Sequence, residues 1–286
     1  MNDTLVILAA GASSRMKRSK PVVGLTPEEI ELANTSSKAL MVLGNEGRPV
    51  LDWLLLNAEK AGYTKILLVV GQDAEGFKQH YGPLDHNNSF KSLSISYAYQ
   101  HIPKGRTKPF GTADAVYQAM EQFPYLKQTE FTVCNSDNLY SQDALLALRK
   151  TTYTNALIAY DKEGLDFSEE RIAKFAIIVL DSQDQLRDII EKPDPDTISN
   201  YMDDEGKIRV SMNIFKFSGD EIYTYVRNCR PHPVRDEKEL PSAILEYCNE
   251  HSPGFKAINR HEHVPDLTSK EDILIIKDYI NTHFSN

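Results

Sequence analysis

The feature that most constrains the fold is a regular alternation of strand-like and helix-like segments over the first 160 residues. Short apolar runs are followed by longer segments whose apolar residues recur at helical spacing. The strand-like segments are Thr4–Ala9, Lys65–Val70, Leu93–Tyr99, Glu130–Cys134 and Ala156–Tyr160. The helix-like segments are Pro49–Gly62, Asp73–Tyr81, Thr112–Gln122 and Ser141–Lys150. Repeated strand–helix units of this kind predict an α/β fold, with a mostly parallel sheet covered by helices on both faces.

The pattern changes after Asp161, where turns rather than helices separate the strand-like segments. This part predicts an antiparallel or mixed extension at one edge of the sheet. Its strand-like segments are Phe175–Leu180, Leu186–Glu191, Ile208–Phe217 and Phe255–Asn259, and its helix-like segments are Leu240–Asn249 and Lys270–His283. A chain of 286 residues lies near the upper limit for one hydrophobic core. We therefore expect a single domain over residues 1–286, with one part over roughly 1–160 and a second over roughly 161–286.

The net charge, the apolar segments and the cysteines limit which binding partners and which cellular compartment are expected. A formal net charge of −9 argues against a general nucleic-acid-binding protein. The apolar run Leu5–Ala10 has no basic region before it and is too short for a signal peptide or a membrane span. Cys134, Cys229 and Cys248 are widely separated, without metal-ligand spacing, which favours a reducing compartment. We expect a cytoplasmic protein without nucleic-acid or membrane partners, and a homo-oligomer is left open.

The loop after the first predicted strand consists of small residues and ends in an arginine. It reads Leu8-Ala9-Ala10-Gly11-Ala12-Ser13-Ser14-Arg15. Small side chains let the backbone approach a ligand closely, so that its N–H groups can bind phosphate oxygens. The loop lies beyond the carboxyl end of a strand, which is where open α/β sheets bind ligands. It matches neither GxGxxG nor GxxxxGK[ST], so neither dinucleotide binding nor the usual P-loop arrangement is implied.

The charges around this loop point to the kind of ligand. Asp3 is the only acidic residue between Met1 and Gly24, whereas Arg15, Lys17, Arg18 and Lys20 are basic. A positive loop on an acidic protein favours a small polyanionic ligand, and the alternative is a solvated loop tip. Just after this cluster, Thr26-Pro27-Glu28-Glu29 has the pattern of a capping box with proline at the first helical position. It predicts a short inserted helix over Pro27–Ala33, which would serve as a lid or an interface.

Short motifs follow one another over residues 4 to about 275. They are Leu8–Arg15, Lys38-Ala39-Leu40-Met41, Gln100 with Gly111-Thr112-Ala113, Val133-Cys134-Asn135-Ser136-Asp137-Asn138, Glu191-Lys192-Pro193, Ser211-Met212-Asn213-Ile214-Phe215, and a looser match at Asp266–Asp272. In this order they resemble the sugar-1-phosphate nucleotidyltransferases, also called nucleotide-diphospho-sugar pyrophosphorylases. Each motif alone is weakly specific, but their occurrence together in this order is specific for the family.

The resemblance implies a Rossmann-like (GT-A type) fold, in which a mixed, mostly parallel sheet is flanked by helices and carries an antiparallel sugar-binding extension. Residues 1–160 would bind a nucleoside triphosphate and residues 161–286 a sugar 1-phosphate, with Mg²⁺ as cofactor. The products would be a nucleoside diphosphate sugar and pyrophosphate. Such a transfer is an in-line displacement that depends on positioning and charge neutralisation. Since the attacking phosphate is already anionic, no general base is needed, and no His or Cys nucleophile is apparent.

Roles for individual residues follow from the same resemblance. Arg15 would stabilise the departing pyrophosphate, because its planar fork suits phosphate oxygens. Lys38 would add positive charge, and Asp137 would bind Mg²⁺ together with Asp266. The remaining nucleotide-binding candidates are Leu8, Ala10, Gly11, Ala12, Ser13, Gln100, Gly111 and Thr112, and the sugar-phosphate candidates are Asn138, Glu191, Lys192 and Asn213. Alternatives stay open for Asp137, which could cap a helix (although Ser141 would do so better), and for Asp266, which could be a turn residue.

Several positions depart from the family pattern. Thr268 stands where the family has a glycine, Lys104–Phe110 is inserted, and Phe175-Ala176 replaces an expected glycine near the sugar. These departures leave the base and the sugar open. The alternatives are a non-hexose acceptor such as phosphocholine, a glycosyltransferase of related fold, or a non-catalytic regulatory homologue. His261-Glu262-His263 resembles a metal motif but is expected to be an exposed loop or strand end.

Overall fold

Twelve strands are present in the computed structural model, which describes residues 2–44 and 46–284. They are β1 (Thr4–Leu8), β2 (Val42–Leu43), β3 (Arg48–Pro49), β4 (Lys65–Val70), β5 (Asn88–Phe90), β6 (Leu93–Tyr99), β7 (Glu130–Asn135), β8 (Ala156–Asp161), β9 (Ala176–Leu180), β10 (Leu186–Ile190), β11 (Arg209–Ser218) and β12 (Lys256–Arg260). All nine strand-like segments of the sequence are strands, with ends shifted by one residue at most. The short strands β2, β3 and β5 escaped the sequence pattern because they hold only two or three residues.

The helices of the described residues confirm the helix-like segments and add three more. They are α1 (Ser14–Arg18), α2 (Pro27–Thr35), α3 (Val50–Lys60), α4 (Glu75–Tyr81), α5 (Thr112–Gln122), α6 (Gln142–Lys150), α7 (Glu169–Ile172), α8 (Gly219–Asn228), α9 (Leu240–Glu250) and α10 (Glu271–His283). Short 3₁₀ helices span Lys38–Leu40, Pro124–Gln128, Lys162–Gly164 and Pro195–Tyr201. The sequence pattern missed α1, α7 and α8. None of the helices in the described part of the chain combines the length and apolar character that a bilayer span requires.

The main sheet has the order β10–β9–β11–β7–β1–β4–β6–β5, and β8 pairs with β11 and β12. Strands β7, β1, β4 and β6 are parallel to one another. Strand β11 runs antiparallel to β7, β8 and β9, and β10 runs antiparallel to β9. The predicted mixed, mostly parallel sheet with an antiparallel extension is therefore confirmed. Because β7 and β1 are adjacent and parallel, the loops that follow them meet at one edge of the sheet.

The sheet is buried on both faces. Leu5 and Ile7 of β1 belong to one apolar cluster, which packs against α3 and α6, whereas Val6 belongs to a cluster on the opposite face. A third cluster joins α1, α2 and α10 through side chains that include Met16, Ala33 and Ile276. This third cluster holds the segment after β1 against the end of the chain.

The inserted helix has the cap that the sequence predicts. The backbone N–H of Glu29 donates to Thr26 Oγ1 over 3.2 Å, and Glu29 Oε2 accepts from the Thr26 N–H over 2.9 Å. The helix extends two residues beyond the predicted end, to Thr35. Lys277 of α10 donates to Glu29 Oε1 over 2.6 Å, which fixes α2 on α10.

Candidate active site

The small-residue loop after β1 lines a cavity of about 430 Å³. Apart from its two chain neighbours, no atom of the described residues lies within 4 Å of the position that a Cβ on Gly11 would occupy, and Gly11 lines this cavity. Ser13 has a left-handed backbone with φ of 53°, and its Oγ accepts a hydrogen bond from the backbone N–H of Lys38 over 3.3 Å. The loop therefore presents backbone to a ligand while Ser13 ties it to the segment that carries Lys38.

Arg15 lies in the first turn of α1 and lines two cavities at once. The second cavity has a volume of about 930 Å³ and extends from β1 towards the strands of the antiparallel extension. Besides Arg15, both cavities are lined by Leu8, Thr112, Asn135, Asp137 and Glu237. These residues mark the junction where a ligand in one cavity would meet a ligand in the other.

Asp137 follows β7 and pairs with Lys38. Lys38 Nζ lies 2.5 Å from Asp137 Oδ2, and the two side chains are only 13% and 22% exposed. Asp137 does not cap the next helix, because the Ser141 side chain accepts from the Ala144 N–H at the start of α6. The Asp137 side chain instead lines both cavities.

Asp266 lies beside Asp137 on a neighbouring segment. The N–H of Leu267 donates to the backbone oxygen of Asp137 over 2.9 Å, and Asn138 Nδ2 lies 3.4 Å from Asp266 Oδ1. Burial raises the pKa of the Asp266 carboxyl, and the negative charge of Asp137 raises it further. Two adjacent carboxylates of this kind favour a cation between them, and Mg²⁺ is commonly held by one or two carboxylates plus substrate phosphates. The described residues contain no group of three or more side chains that could hold a metal by themselves.

Arg171 of α7 is a site residue that the sequence analysis missed. Its guanidinium donates to Asp266 Oδ2 over 2.9 Å and to the Asp266 backbone oxygen over 2.7 Å, and it also pairs with Asp272. It lies over the ring of Phe167, 4.4 Å from the centroid. In the structure, therefore, each of the two carboxylates faces a cationic side chain, Asp137 facing Lys38 and Asp266 facing Arg171.

The predicted sugar-phosphate residues line the larger cavity from its other side. Glu191 and Lys192 follow β10, and Lys192 has a left-handed backbone with φ of 49°. Asn213 lies on β11, where the pairing with β8 shifts register, and it has a φ of 56°. Although Asn213 lies within an otherwise apolar and buried strand, its side chain is exposed. The irregular backbone turns it out of the sheet and into the cavity lining.

The segment before α9 brings three more charged residues to the cavity. Arg235 donates through its Nη2 to both Glu191 and Glu239, and Glu237 lies at the junction of the two cavities. The sequence analysis did not identify Arg235, Glu237 or Glu239. Their only sequence signal is a cluster of charges in a proline-containing turn directly before a helix.

Gln100, Gly111 and Thr112 close the smaller cavity. Gln100 is buried, and its Nε2 donates to the Gly111 backbone oxygen over 2.9 Å and to Asp114 Oδ2 over 3.0 Å. Thr112 Oγ1 accepts from the N–H of Leu240 over 2.9 Å. With both amide protons of Gln100 used inside the protein, its oxygen is the group left for a ligand.

The inserted segment Lys104–Phe110 packs on the segment that carries Arg235. Arg106 donates to Asp236 Oδ2 over 2.7 Å, and the Lys238 N–H donates to the Phe110 oxygen over 2.7 Å. The two segments together form one wall of the smaller cavity, to which they contribute Lys108, Pro109 and Glu237.

The His261-Glu262-His263 segment follows β12 and does not form a metal site. His261 Nδ1 pairs with Asp161, Glu262 accepts from Ser141 Oγ over 2.9 Å, and His263 Nδ1 accepts from the Asp166 N–H over 3.0 Å. The three side chains thus point to three different partners.

The chain is similar to known proteins in sequence and in fold. A family model described as "Nucleotidyl transferase" matches residues 5–274. The bifunctional protein GlmU of Staphylococcus haemolyticus is 25% identical over 247 residues, which are 85% of this chain and 45% of the relative. The chain thus spans about half the length of this relative. A crystal structure of UDP-glucose pyrophosphorylase, solved in complex with UDP-glucose, superposes with a TM-score of 0.70 at 16% identity and covers 99% of both chains. The family model covers nearly the whole chain, and the protein therefore belongs to the nucleotidyl transferase family.

Proposed function

We propose that the protein transfers a nucleotidyl group from a nucleoside triphosphate to a sugar 1-phosphate, releasing a nucleoside diphosphate sugar and pyrophosphate. The observation that carries this proposal is the junction of the two cavities, where Arg15 and Asp137 line both spaces. A triphosphate in the smaller cavity and a phosphorylated acceptor in the larger one would meet at these side chains. The names of the two relatives, GlmU and UDP-glucose pyrophosphorylase, support a sugar phosphate as the acceptor class.

In this mechanism an oxygen of the acceptor phosphate attacks the α-phosphorus of the triphosphate. The bond from the α-phosphorus to the bridging oxygen breaks, and that oxygen leaves with pyrophosphate. Backbone N–H groups of the loop Leu8–Arg15 bind phosphate oxygens, and the Arg15 guanidinium neutralises the charge that develops on the leaving group. Gln100 and Gly111 border the space for the base, and Asn138, Glu191, Lys192 and Asn213 border the space for the acceptor.

Asp137 and Asp266 would hold Mg²⁺, because they are adjacent carboxylates beside the cavity, and the ion would take over part of the charge balance that Lys38 and Arg171 now provide. When bound, the ion would neutralise phosphate charge during the displacement. Lys38 and Arg171, which lie beside these two carboxylates, would add positive charge near the phosphates. The cysteines of the described residues are free thiols, which supports our inference that the protein works in the cytoplasm.

The test is a matrix of reactions with Mg²⁺, each nucleoside triphosphate and a panel of acceptors, with pyrophosphate release as the readout. We expect release with at least one pairing of a triphosphate and a sugar 1-phosphate, and none when either partner is omitted. Phosphocholine belongs in the panel as a non-sugar acceptor. Folded protein that releases no pyrophosphate with any pairing would contradict the proposal.

A further inference from the structure

Lys270 is a fully buried lysine whose ammonium group binds main-chain oxygens. It is 1% exposed, and its Nζ donates to the backbone oxygens of Met16 and Ser19, each over 2.8 Å, with the Lys17 oxygen at 3.4 Å. Its own N–H donates to Ser19 Oγ over 3.1 Å. No carboxylate within the described ranges pairs with its ammonium group. A buried charge without a counter-ion is costly, so these carbonyl contacts must compensate for its desolvation.

The carbonyl groups that Lys270 binds belong to the end of α1. This helix has five residues, too few to be stable without tertiary contacts, and its last carbonyls bind groups beyond the helix. The Met16 oxygen accepts from the N–H and the Oγ of Ser19 as well as from Lys270. A cation at a helix C-terminus adds to these contacts and interacts favourably with the helix dipole. Arg15 directly precedes Met16 and lies one turn before Ser19, so a shift of α1 at the Lys270 contacts would redirect the Arg15 side chain.

Lys270 also belongs to the segment that carries Asp266. Between these two residues the chain is held by the Asp272 carboxylate, which accepts from the N–H groups of Thr268 over 2.8 Å and Ser269 over 2.6 Å. The ammonium group of Lys270 is therefore a polar link between the turn bearing Asp266 and the helix bearing Arg15, beside the apolar cluster that also joins α1 to α10.

We propose that Lys270 is a positioning residue that sets the Arg15 guanidinium, relative to Asp266, for binding of a triphosphate. This inference rests on the proposed function. It separates triphosphate binding, which needs Arg15, from acceptor binding, whose candidate residues line the larger cavity and not the smaller one.

The test compares Lys270→Met with Lys216→Met. Lys216 is also 1% exposed and also binds backbone oxygens, those of Thr151 over 3.0 Å and Tyr153 over 2.8 Å, but it lines neither cavity. Unlike Lys270 it also pairs with a carboxylate, that of Glu130, over 3.1 Å. Both variants lose a buried lysine, and Lys216→Met also leaves Glu130 without this partner, so a general loss of stability affects the control at least as much. Ser19→Ala is a milder change, which removes the Oγ that accepts from the Lys270 N–H, and it replaces Lys270→Met in the test if that variant does not fold.

Two measurements read out the role of Lys270. Amide hydrogen exchange without ligand is expected to accelerate over residues 14–19 in Lys270→Met and not in Lys216→Met. Calorimetric titration with inorganic tripolyphosphate and Mg²⁺, a probe that needs no base, is expected to show affinity weakened about tenfold or more in Lys270→Met, because a misdirected Arg15 loses charge-assisted hydrogen bonds. Ser19→Ala is expected to weaken binding in the same direction by a smaller factor.

The outcomes separate this inference from the proposed function. Unchanged exchange over residues 14–19 and unchanged tripolyphosphate affinity in Lys270→Met would overturn the inference while the enzyme stays active. An equal loss of affinity in Lys216→Met would also overturn it, because it would mark a general loss of stability. A wild-type protein that binds no tripolyphosphate would contradict the proposed function, whereas the exchange measurement would still decide whether Lys270 holds α1.

Discussion

Gly111→Ala tests how closely the backbone at Gly111, which lines the smaller cavity, packs against the segment before α9. Gly111 has a φ of 105°, in the left-handed region that disfavours side chains. A Cβ there would lie 2.3 Å from the Lys238 oxygen and 2.8 Å from its backbone carbon and nitrogen. The backbone of Lys238 cannot move away freely, because it donates to the Phe110 oxygen over 2.7 Å and accepts from the Ala113 N–H over 2.9 Å.

The expected cost follows from these contacts. Holding an alanine at positive φ costs about 1 to 2 kcal/mol. Displacing Lys238 breaks two backbone hydrogen bonds, each contributing about 1 kcal/mol. Alanine also lowers the conformational entropy of the unfolded chain, which offsets roughly 0.5 kcal/mol of this cost. The free energy of unfolding should fall by about 3 kcal/mol, which corresponds to a fall of about 5 °C in melting temperature for a domain of this size.

The assay is thermal unfolding of Gly111→Ala beside Gly11→Ala, followed by titration with tripolyphosphate. Gly11 has open space around it and no left-handed backbone, so its alanine variant should unfold within about 0.5 kcal/mol of the wild type. The added methyl group would nevertheless occupy the loop surface proposed to bind phosphate, so Gly11→Ala should lose tripolyphosphate binding. The reasoning is refuted if Gly111→Ala melts with the wild type, or if Gly11→Ala binds tripolyphosphate normally.

Three further predictions concern other parts of the structure. Asp137→Asn should abolish pyrophosphate release without unfolding the protein, and turnover with unchanged metal dependence would show that the carboxylate is not a metal ligand. Because burial raises the pKa of Asp266, its favourable contribution to folding is fully present below pH 3.8 and is lost as pH rises through the raised folded-state value. Metal-free Asp266→Asn should therefore lose less stability than the wild type between pH 4 and 8 in urea unfolding, and parallel pH profiles would contradict this. Thr26→Ala removes the side-chain cap of α2 and should lower the free energy of unfolding by about 1 kcal/mol, measured by urea denaturation; an unchanged midpoint would show that the contacts of α2 with α10 suffice.

Most helices and strands were predicted from the sequence, because their apolar spacing and their caps involve residues that are close together in the chain. The helix at Thr112–Gln122 has the bounds that its apolar spacing predicts, and the cap at Thr26 forms as its pattern requires. The position of the loop Leu8–Arg15 was also predictable, since a loop that directly follows a strand of a parallel sheet lies at the carboxyl end of that strand.

The parts that were missed depend on contacts between distant residues. Arg235 reaches Glu191 across 44 positions, and Arg171 reaches Asp266 across 95, so neither pairing leaves a pattern of spacing. The helix α8 did carry a local signal, since Ile222 and Val226 are buried four residues apart, but it follows directly on β11 without a turn. The exposure of Asn213 leaves no signal in its own strand, because a register shift is decided by the neighbouring strands rather than by the residues of the strand itself.

Strand β11 has a mechanical consequence for how the protein works. Val210 pairs with Ile177 of β9 and Tyr160 of β8, whereas Phe215 pairs with Val133 of β7. One continuous strand thus belongs to both halves of the molecule. A hinge rotation that opened the cleft would have to bend this strand and break its ladders, unlike the linker hinges of enzymes that close as two rigid bodies. If the proposed function is right, ligands would therefore enter and leave through loop movements, and the spacing of the two proposed subsites would be set before either is filled.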